Sequence, residues 1–183
     1  MIRSLLIVTR RQDSADKKLL TYFKEAFLMN TIEQVREYLA SYGLADRIIE
    51  TERSSETVEA AAAALGCEPG RIAKSLAFMA GEKPVIVLAK GDARVDNKKY
   101  KAVFQTKAKM IPFDRVEEVI GHAPGGVCPF AIRDGIDVYM DESLRLYDIV
   151  YPAAGNDHSA VRLTLEELEK ASRAIGWVDV CKE

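Results

Sequence analysis

The stretch from Ile72 to Ala89 constrains the fold most. Alternation with a period of two places Ile72, Lys74, Leu76 and Phe78 on one strand face and Ala73, Ser75, Ala77 and Met79 on the other. Beyond a turn at Gly81-Glu82, Pro84 to Ala89 is nearly all apolar, the pattern of a strand buried on both faces. A hairpin of this kind needs cover on each side, so the expected fold is a mixed α+β domain.

The rest of the chain supplies that cover. Asn30 and Glu33 read as an N-cap and its N3 partner, Ile32, Val35, Leu39 and Tyr42 form an apolar stripe, and Gly43 stops the helix. Arg47 to Thr51 reads as a short strand. Ser54 or Ser55 is expected to open an alanine-rich helix ending at Leu65-Gly66. Asp96 caps a predicted helix over 97–104, and Asp114 another that carries Val116, Val119 and Ile120. Short strands are expected at Val138–Met140, Ile149–Tyr151 and Val161–Leu163. Thr164 and Glu167 then box the start of a last helix through Ala174. There is no βαβ rhythm and no internal repeat.

With 183 residues the chain can bury one sizeable core but hardly two. Residues 1–30 read as an N-terminal extension with helical spacing at Leu19, Leu20, Phe23 and Phe27, and Met29 offers a second reading of the start. Lys and Arg total 26 against 28 Asp and Glu, so any nucleic-acid partner needs a local basic patch. Three scattered cysteines encode neither a disulfide framework nor a zinc knuckle, and the apolar run Leu5–Val8 is too short to span a membrane or serve as a signal core. These features suggest a cytoplasmic protein. Trp177 is expected to cover the core, which suits a monomer or weak homodimer.

Familiar catalytic signatures are missing: no G-x-S-x-G elbow, Walker loop, G-x-G-x-x-G or H-E-x-x-H occurs. Two histidines cannot form a three-histidine zinc site, and no cofactor is indicated. Lys74 stands on an apolar strand face, where it either lines a site or snorkels to water along its aliphatic stem. Gly125-Gly126-Val127-Cys128-Pro129 is either a ligand-approaching loop that offers backbone N–H groups or a sharp helix-to-strand connection. Asp141 reads as a pocket carboxylate or a helix cap, and Ala153 to Ser159 as a pocket lining or a turn. Cys128 with His122 invites a thiol-hydrolase reading, although six residues of glycine-rich loop do not enforce contact. Between Arg94 and Lys109, six cations and one acid with Tyr100 and Phe104 interleaved make either a phosphate-receiving patch or a solvated helix face.

Together these pieces resemble the YbaK/EbsC family of aminoacyl-tRNA deacylases, related to the insertion editing domain of bacterial prolyl-tRNA synthetases. The resemblance spans residues 31–183. It rests on Ile72-Ala73-Lys74-Ser75-Leu76, Asp96-Asn97-Lys98-Lys99, Gly125 to Pro129, Val138 to Glu142, and Ala154-Gly155-Asn156. It implies a mixed, barrel-like β-sheet flanked by helices, with the site in a pocket over the sheet. It makes Lys74 the key lysine near the ester or terminal phosphate, and Gly125-Gly126 with Pro129 the substrate-facing loop. Asp141, Gly155 and Asn156 would border the substrate, Thr57 would touch the amino-acid side chain, and Lys98, Lys99 and Lys101 would meet tRNA. The implied activity is trans-editing: hydrolysis of a tRNA ester carrying a small amino acid (Cys, Ala or Ser), with aminoacyl-tRNA and prolyl-tRNA synthetase as partners. A non-catalytic tRNA- or synthetase-binding module and a Cys128-dependent hydrolase are the alternatives.

Overall fold

The computed structural model describes residues 32–52 and 57–182. The expected cap Asn30 and the segment 1–30 lie outside them, as do Ser54 and Ser55. A first helix, α1, includes residues 32–40, and Gly43 follows with φ +71°. Ile32, Val35 and Leu39 are buried along the expected stripe.

A six-stranded sheet carries the structure, made of β2 (Ile72–Ala80), β3 (Lys83–Lys90), β5 (Asp137–Asp141), β6 (Ile149–Pro152), β8 (Leu163–Thr164) and β9 (Gly176–Val178). Their order is β8-β6-β2-β3-β5-β9. The sheet curls into a half-barrel. Pairing is mixed: β2–β3 and β6–β8 are antiparallel, whereas β2–β6, β3–β5 and β5–β9 are parallel. Two small ribbons attach to it. One pairs β1 (Ile48–Glu50) with β7 (Ser159–Val161), the other β4 (Arg94–Val95) with β10 (Cys181–Lys182).

The β3 strand is covered on both faces, as its composition predicts. Ile86 and Leu88 enter one apolar cluster with Val35, Leu39, Phe130 and Met140, while Val85, Val87 and Ala89 enter the other with Phe78 and Tyr100. A fully buried aliphatic side chain of this size stabilises the fold by roughly 1.5–3 kcal/mol, so this strand anchors both layers.

Several expected boundaries move. Helix α2 (Val58–Leu65) is capped by Thr57, whose hydroxyl accepts from the Ala60 N–H at 3.1 Å, so neither Ser54 nor Ser55 opens it. Helix α3 (Asn97–Phe104) has the expected cap, with Asp96 accepting from the N–H groups of Lys98 and Lys99. Asp114 caps nothing. It sits in a 3-10 turn (Phe113–Arg115) that leads into the short α4 (Val116–Ile120). The predicted strand over Val161–Leu163 is broken at Arg162, whose N–H donates to the Arg47 carbonyl, and its halves join different sheets. Helix α5 (Leu165–Ser172) begins with the expected Thr164–Glu167 capping box but ends two residues early, because Arg173 turns left-handed at φ +51°. Trp177 is partly buried against the core, its indole N–H donating to Glu169 and its ring lying 3.7 Å under the Arg145 guanidinium. No helix among the described residues is long and apolar enough to cross a membrane.

Candidate active site

A cavity of about 280 Å³ opens where α2, β2, the end of β6 and the loops 122–130 and 153–159 meet. Val58, Ala61 and Leu65 of α2 form its roof, and Ile72 and Tyr151, which are register partners on β2 and β6, form its floor. Thr57, Lys74, Ser75, Gly125, Val127 and Asn156 also line it. Sequence reasoning had these parts scattered over a hundred residues. The parallel pairing of β2 with β6 brings them together.

Lys74 projects from the β2 face shared with Ile72 and Leu76 and is half-buried. Its ammonium donates to the carbonyls of Gly91, at 2.9 Å, and of Ala93, both in the turn that leaves β3. Burial lowers its pKa below the ordinary lysine value, and the acids Asp92 and Glu59 oppose that shift only in part. Among the described residues this side chain is therefore held at the cavity wall by backbone carbonyls and not by a carboxylate.

The glycine loop differs from expectation in its donors. Gly125 lines the cavity with φ +90°, but the Gly126 N–H is already engaged, donating to Ala123 at 3.0 Å. Gly126 is needed instead for close approach: a Cβ there would stand 2.5 Å from the Gly155 carbonyl and 2.7 Å from the Asn156 Cα. Gly155, at φ +97°, is buried behind that contact. Pro129 is buried and does not line the cavity, whereas Val127 does.

Two other groups supply donors. Asn156 accepts from the His158 N–H (2.9 Å) and the Ser159 hydroxyl (2.7 Å) through the same side-chain oxygen. The backbone donor fixes which amide atom is oxygen, so the NH₂ is free to donate elsewhere, with no partner among the described residues. Ser75 is the residue that sequence reasoning missed. The β2–β6 ladder ends at Ala73, while farther along the same edge Ala77 and Met79 bond to Ile111 and Lys109. Ser75 stands in the gap, so its N–H and carbonyl, which face that edge by the same alternation, are turned to the cavity. Its hydroxyl is buried without a hydrogen-bond partner among the described residues. Only the three-dimensional pairing reveals such a gap.

Asp141 is not in this cavity. It is 1% exposed, and its two oxygens accept from the N–H groups of Ser143, Val180 and Cys181. It caps a 3-10 turn and ties the β9–β10 connection to β5, so the cap reading replaces the pocket reading. Thr57 does reach the cavity, with its oxygen spent on capping α2.

Cys128 and His122 do touch, at 3.4 Å, yet the pair is chemically closed. Both side chains are fully buried. His122 Nε2 lies 2.7 Å from the Phe130 carbonyl and must carry the proton to donate there, so it cannot take one from the thiol. Burial pushes the Cys128 thiol up to about 12 and lowers the His122 pKa. A thiolate nucleophile is excluded by this environment.

On α3, Lys98 and Lys101 are exposed, whereas Lys99 is committed, donating to Asp179 (2.7 Å) and the Cys181 carbonyl (2.8 Å). Its hydrogen bond to Asp179 raises its pKa. Of the three lysines expected to meet tRNA, two face solvent without an ion-pair partner among the described residues. No group of three His, Cys, Asp or Glu among those residues could hold a metal.

The family profile described as an aminoacyl-tRNA editing domain matches residues 52–171, the span that contributes α2, β2 and both cavity loops. The chain belongs to the aminoacyl-tRNA editing domain family. A Bacillus subtilis (strain 168) protein, named only as the uncharacterized protein YwhH, is 41% identical over 154 residues, 84% of this chain and 98% of its own. The proline–tRNA ligase of Bacillus velezensis is 27% identical over 124 residues, 60% of this chain but only 22% of the ligase. A crystal structure described as that of a candidate trans-editing enzyme for prolyl tRNA synthetase superimposes with a TM-score of 0.76 at 28% identity, covering 84% of this chain and 98% of its own. The editing-domain fold of this chain is thus found both alone and as part of a synthetase.

Proposed function

We propose that this editing domain is a trans-editing deacylase, hydrolysing the ester of a tRNA mischarged with a small amino acid (Cys, Ala or Ser), with tRNA(Pro) as the carrier. The observation that carries the reading is the cavity itself: a small, half-open volume with a half-buried ammonium at its wall and N–H donors that are unengaged among the described residues. At about 280 Å³ it lies near the lower end of ligand-pocket sizes, which range over roughly 300–1,000 Å³. Ala61, Ala153 and Ala160 give it short walls. That volume suits an aminoacyl group with a short side chain.

An aminoacyl ester is already activated, so its cleavage requires chiefly positioning and a hold on the tetrahedral oxyanion. Water oxygen attacks the carbonyl carbon, the C=O π pair moves to oxygen, and collapse of the intermediate breaks the bond to the ribose oxygen. That oxygen leaves with a proton as the free hydroxyl. The Asn156 NH₂ and the Ser75 N–H offer hydrogen bonds to the developing oxyanion, and Lys74 supplies positive charge. Among the described residues lining the cavity there is no carboxylate, imidazole or thiol. The nucleophile is accordingly a water molecule oriented by backbone and substrate groups.

The test is hydrolysis of tRNA(Pro) charged separately with Cys, Ala, Ser and Pro, comparing the native chain with Lys74→Ala. Release of a non-cognate amino acid, lost in the variant, is the expected result. Undiminished hydrolysis by Lys74→Ala would remove the lysine from the mechanism, and no release from any of the four would sink the deacylase reading.

A further inference from the structure

The buried contact of His122 with Cys128 takes no part in the proposed chemistry, yet its position gives it a task. His122 begins the 122–130 loop and Phe130 ends it, and the imidazole Nε2–H donates to the Phe130 carbonyl at 2.7 Å. One side chain thus clasps both ends of the loop that brings Gly125 and Val127 to the cavity. The Cys128 sulfur, 3.4 Å from the same nitrogen, accepts from the Gly155 N–H of the facing loop. Gly155 precedes Asn156, and Gly126 is pressed against both. The clasp therefore reaches the donor offered to the oxyanion. The imidazole is fully buried, and its Nδ1 has no hydrogen-bond partner among the described residues. A neutral ring tolerates that position, whereas a second N–H there carries a full charge with no acceptor to take it.

We propose that His122 is a positioning residue whose neutral imidazole holds the two cavity loops together, so that its protonation parts the loops and stops turnover. The inference deepens the deacylase reading and rests on it for the turnover alone. Burial lowers the His122 pKa, and the bond to the Phe130 carbonyl offsets this only in part. The folded chain thus holds this proton less readily than an opened one. The clasp is fully present above the free histidine value of about 6.5 and is lost as pH falls through the lowered folded value. The titratable groups packed around the ring keep one protonation state over that range. Cys128 is pushed up to about 12 by burial, and burial also raises Tyr38 of α1, which packs on the Phe130 ring. Arg133, whose side chain lies along Gly121, stays charged. In the facing loop His158 is exposed and pairs with Asp157 at 2.6 Å, and it supplies the control.

The experiment follows the isotope-labelled full chain by NMR from about pH 8 to about pH 5, reading the His122 ring shift and amide exchange, and compares it with His122→Gln. Glutamine keeps a carboxamide N–H for the Phe130 carbonyl and cannot take the proton. In the native chain the opening constant at the Gly126 amide should rise by up to about tenfold per pH unit below about 6.5, the slope of one proton. Val87 and Leu88 of β3 should stay at least about a hundredfold better protected throughout. The slope should vanish in His122→Gln. Single-turnover cleavage of charged tRNA should fall along with the loop in the native chain only, the ratio of the two chains cancelling what the substrate amine contributes. A slope retained by a folded His122→Gln chain would assign the opening to another group, His158 first. In the native chain, a His122 ring that takes up its proton with the loop amides still protected, or loop and β3 amides that open together, would each overturn the inference. Loop opening that tracks His122 in a chain that cleaves no charged tRNA would instead leave the clasp standing and sink the deacylase reading.

Discussion

The loop 122–130 presents two sides that teach opposite lessons about reactivity. Inward lie His122 and Cys128, a base and a thiol in contact, the more reactive pair by residue type. Outward lie Gly125 and Val127, with no reactive group at all, facing Lys74 across the cavity. The inward pair is sealed by packing, its thiol pushed up to about 12 and its imidazole proton committed to the Phe130 carbonyl. The outward side has access and, among the described residues, a cation without a carboxylate partner and donors left free. Where the chemistry itself is easy, access and preorganisation outweigh the intrinsic reactivity of side chains.

The largest effect separating the two sides is expected at Lys74. Lys74→Ala should lower the single-turnover rate on charged tRNA by about a thousandfold, the upper range for losing a preorganised electrostatic contact. Asn156→Asp should come next, at about a hundredfold in kcat, because it keeps the oxygen that accepts from His158 and Ser159 while removing the NH₂ donor. If the aspartate variant stays fully active and only Asn156→Ala is impaired, Asn156 merely shapes its loop.

A pH profile tests the lysine independently. Since burial lowers the Lys74 pKa, the protein holds this proton less tightly than a free lysine does, and the charged form is lost as pH rises through that lowered value. After subtraction of spontaneous ester hydrolysis, which itself grows with pH, enzymatic cleavage should fall on the alkaline side before pH reaches the ordinary lysine range. A rate still climbing through that range would argue against a charged Lys74.

Gly126→Ala attacks the seam between the loops. With a Cβ 2.5 Å from a carbonyl oxygen, the loops must separate, at a cost of about 1–3 kcal/mol measurable by denaturant titration. Smallest should be Cys128→Ala: about 1 kcal/mol of stability for the cavity left behind, with deacylation within about twofold of native. Iodoacetamide should leave Cys128 unmodified in the folded chain, as judged by peptide mass. Loss of activity in the alanine variant would reverse the comparison.

Much of this was readable before any coordinates. The two-sided burial of β3, the Asp96 and Thr164 caps, and the alternation that exposes Lys74 among apolar neighbours follow from local periodicity and capping chemistry. The local pattern left Asp141 open between a helix cap and a pocket carboxylate, and the resemblance put it in the pocket; that it is a cap whose second oxygen holds Val180 and Cys181 is shown only by the position of β9 and β10. The Gly125-Gly126 pair announced a close approach. Which backbone it approaches, and that the Gly126 N–H is spent on its own turn, depended on the distant Gly155.

By itself the sequence determined the elements, the faces they bury and the presence of a lysine where burial is costly, since these depend on residues within a turn or two of one another. Tertiary structure decided which donors stay unengaged among the described residues, that Cys128 and His122 meet only to be sealed, and that Lys74 stands at a cavity wall. Each of these is a matter of what lies across a gap, and the gaps are set by strands paired from opposite ends of the chain.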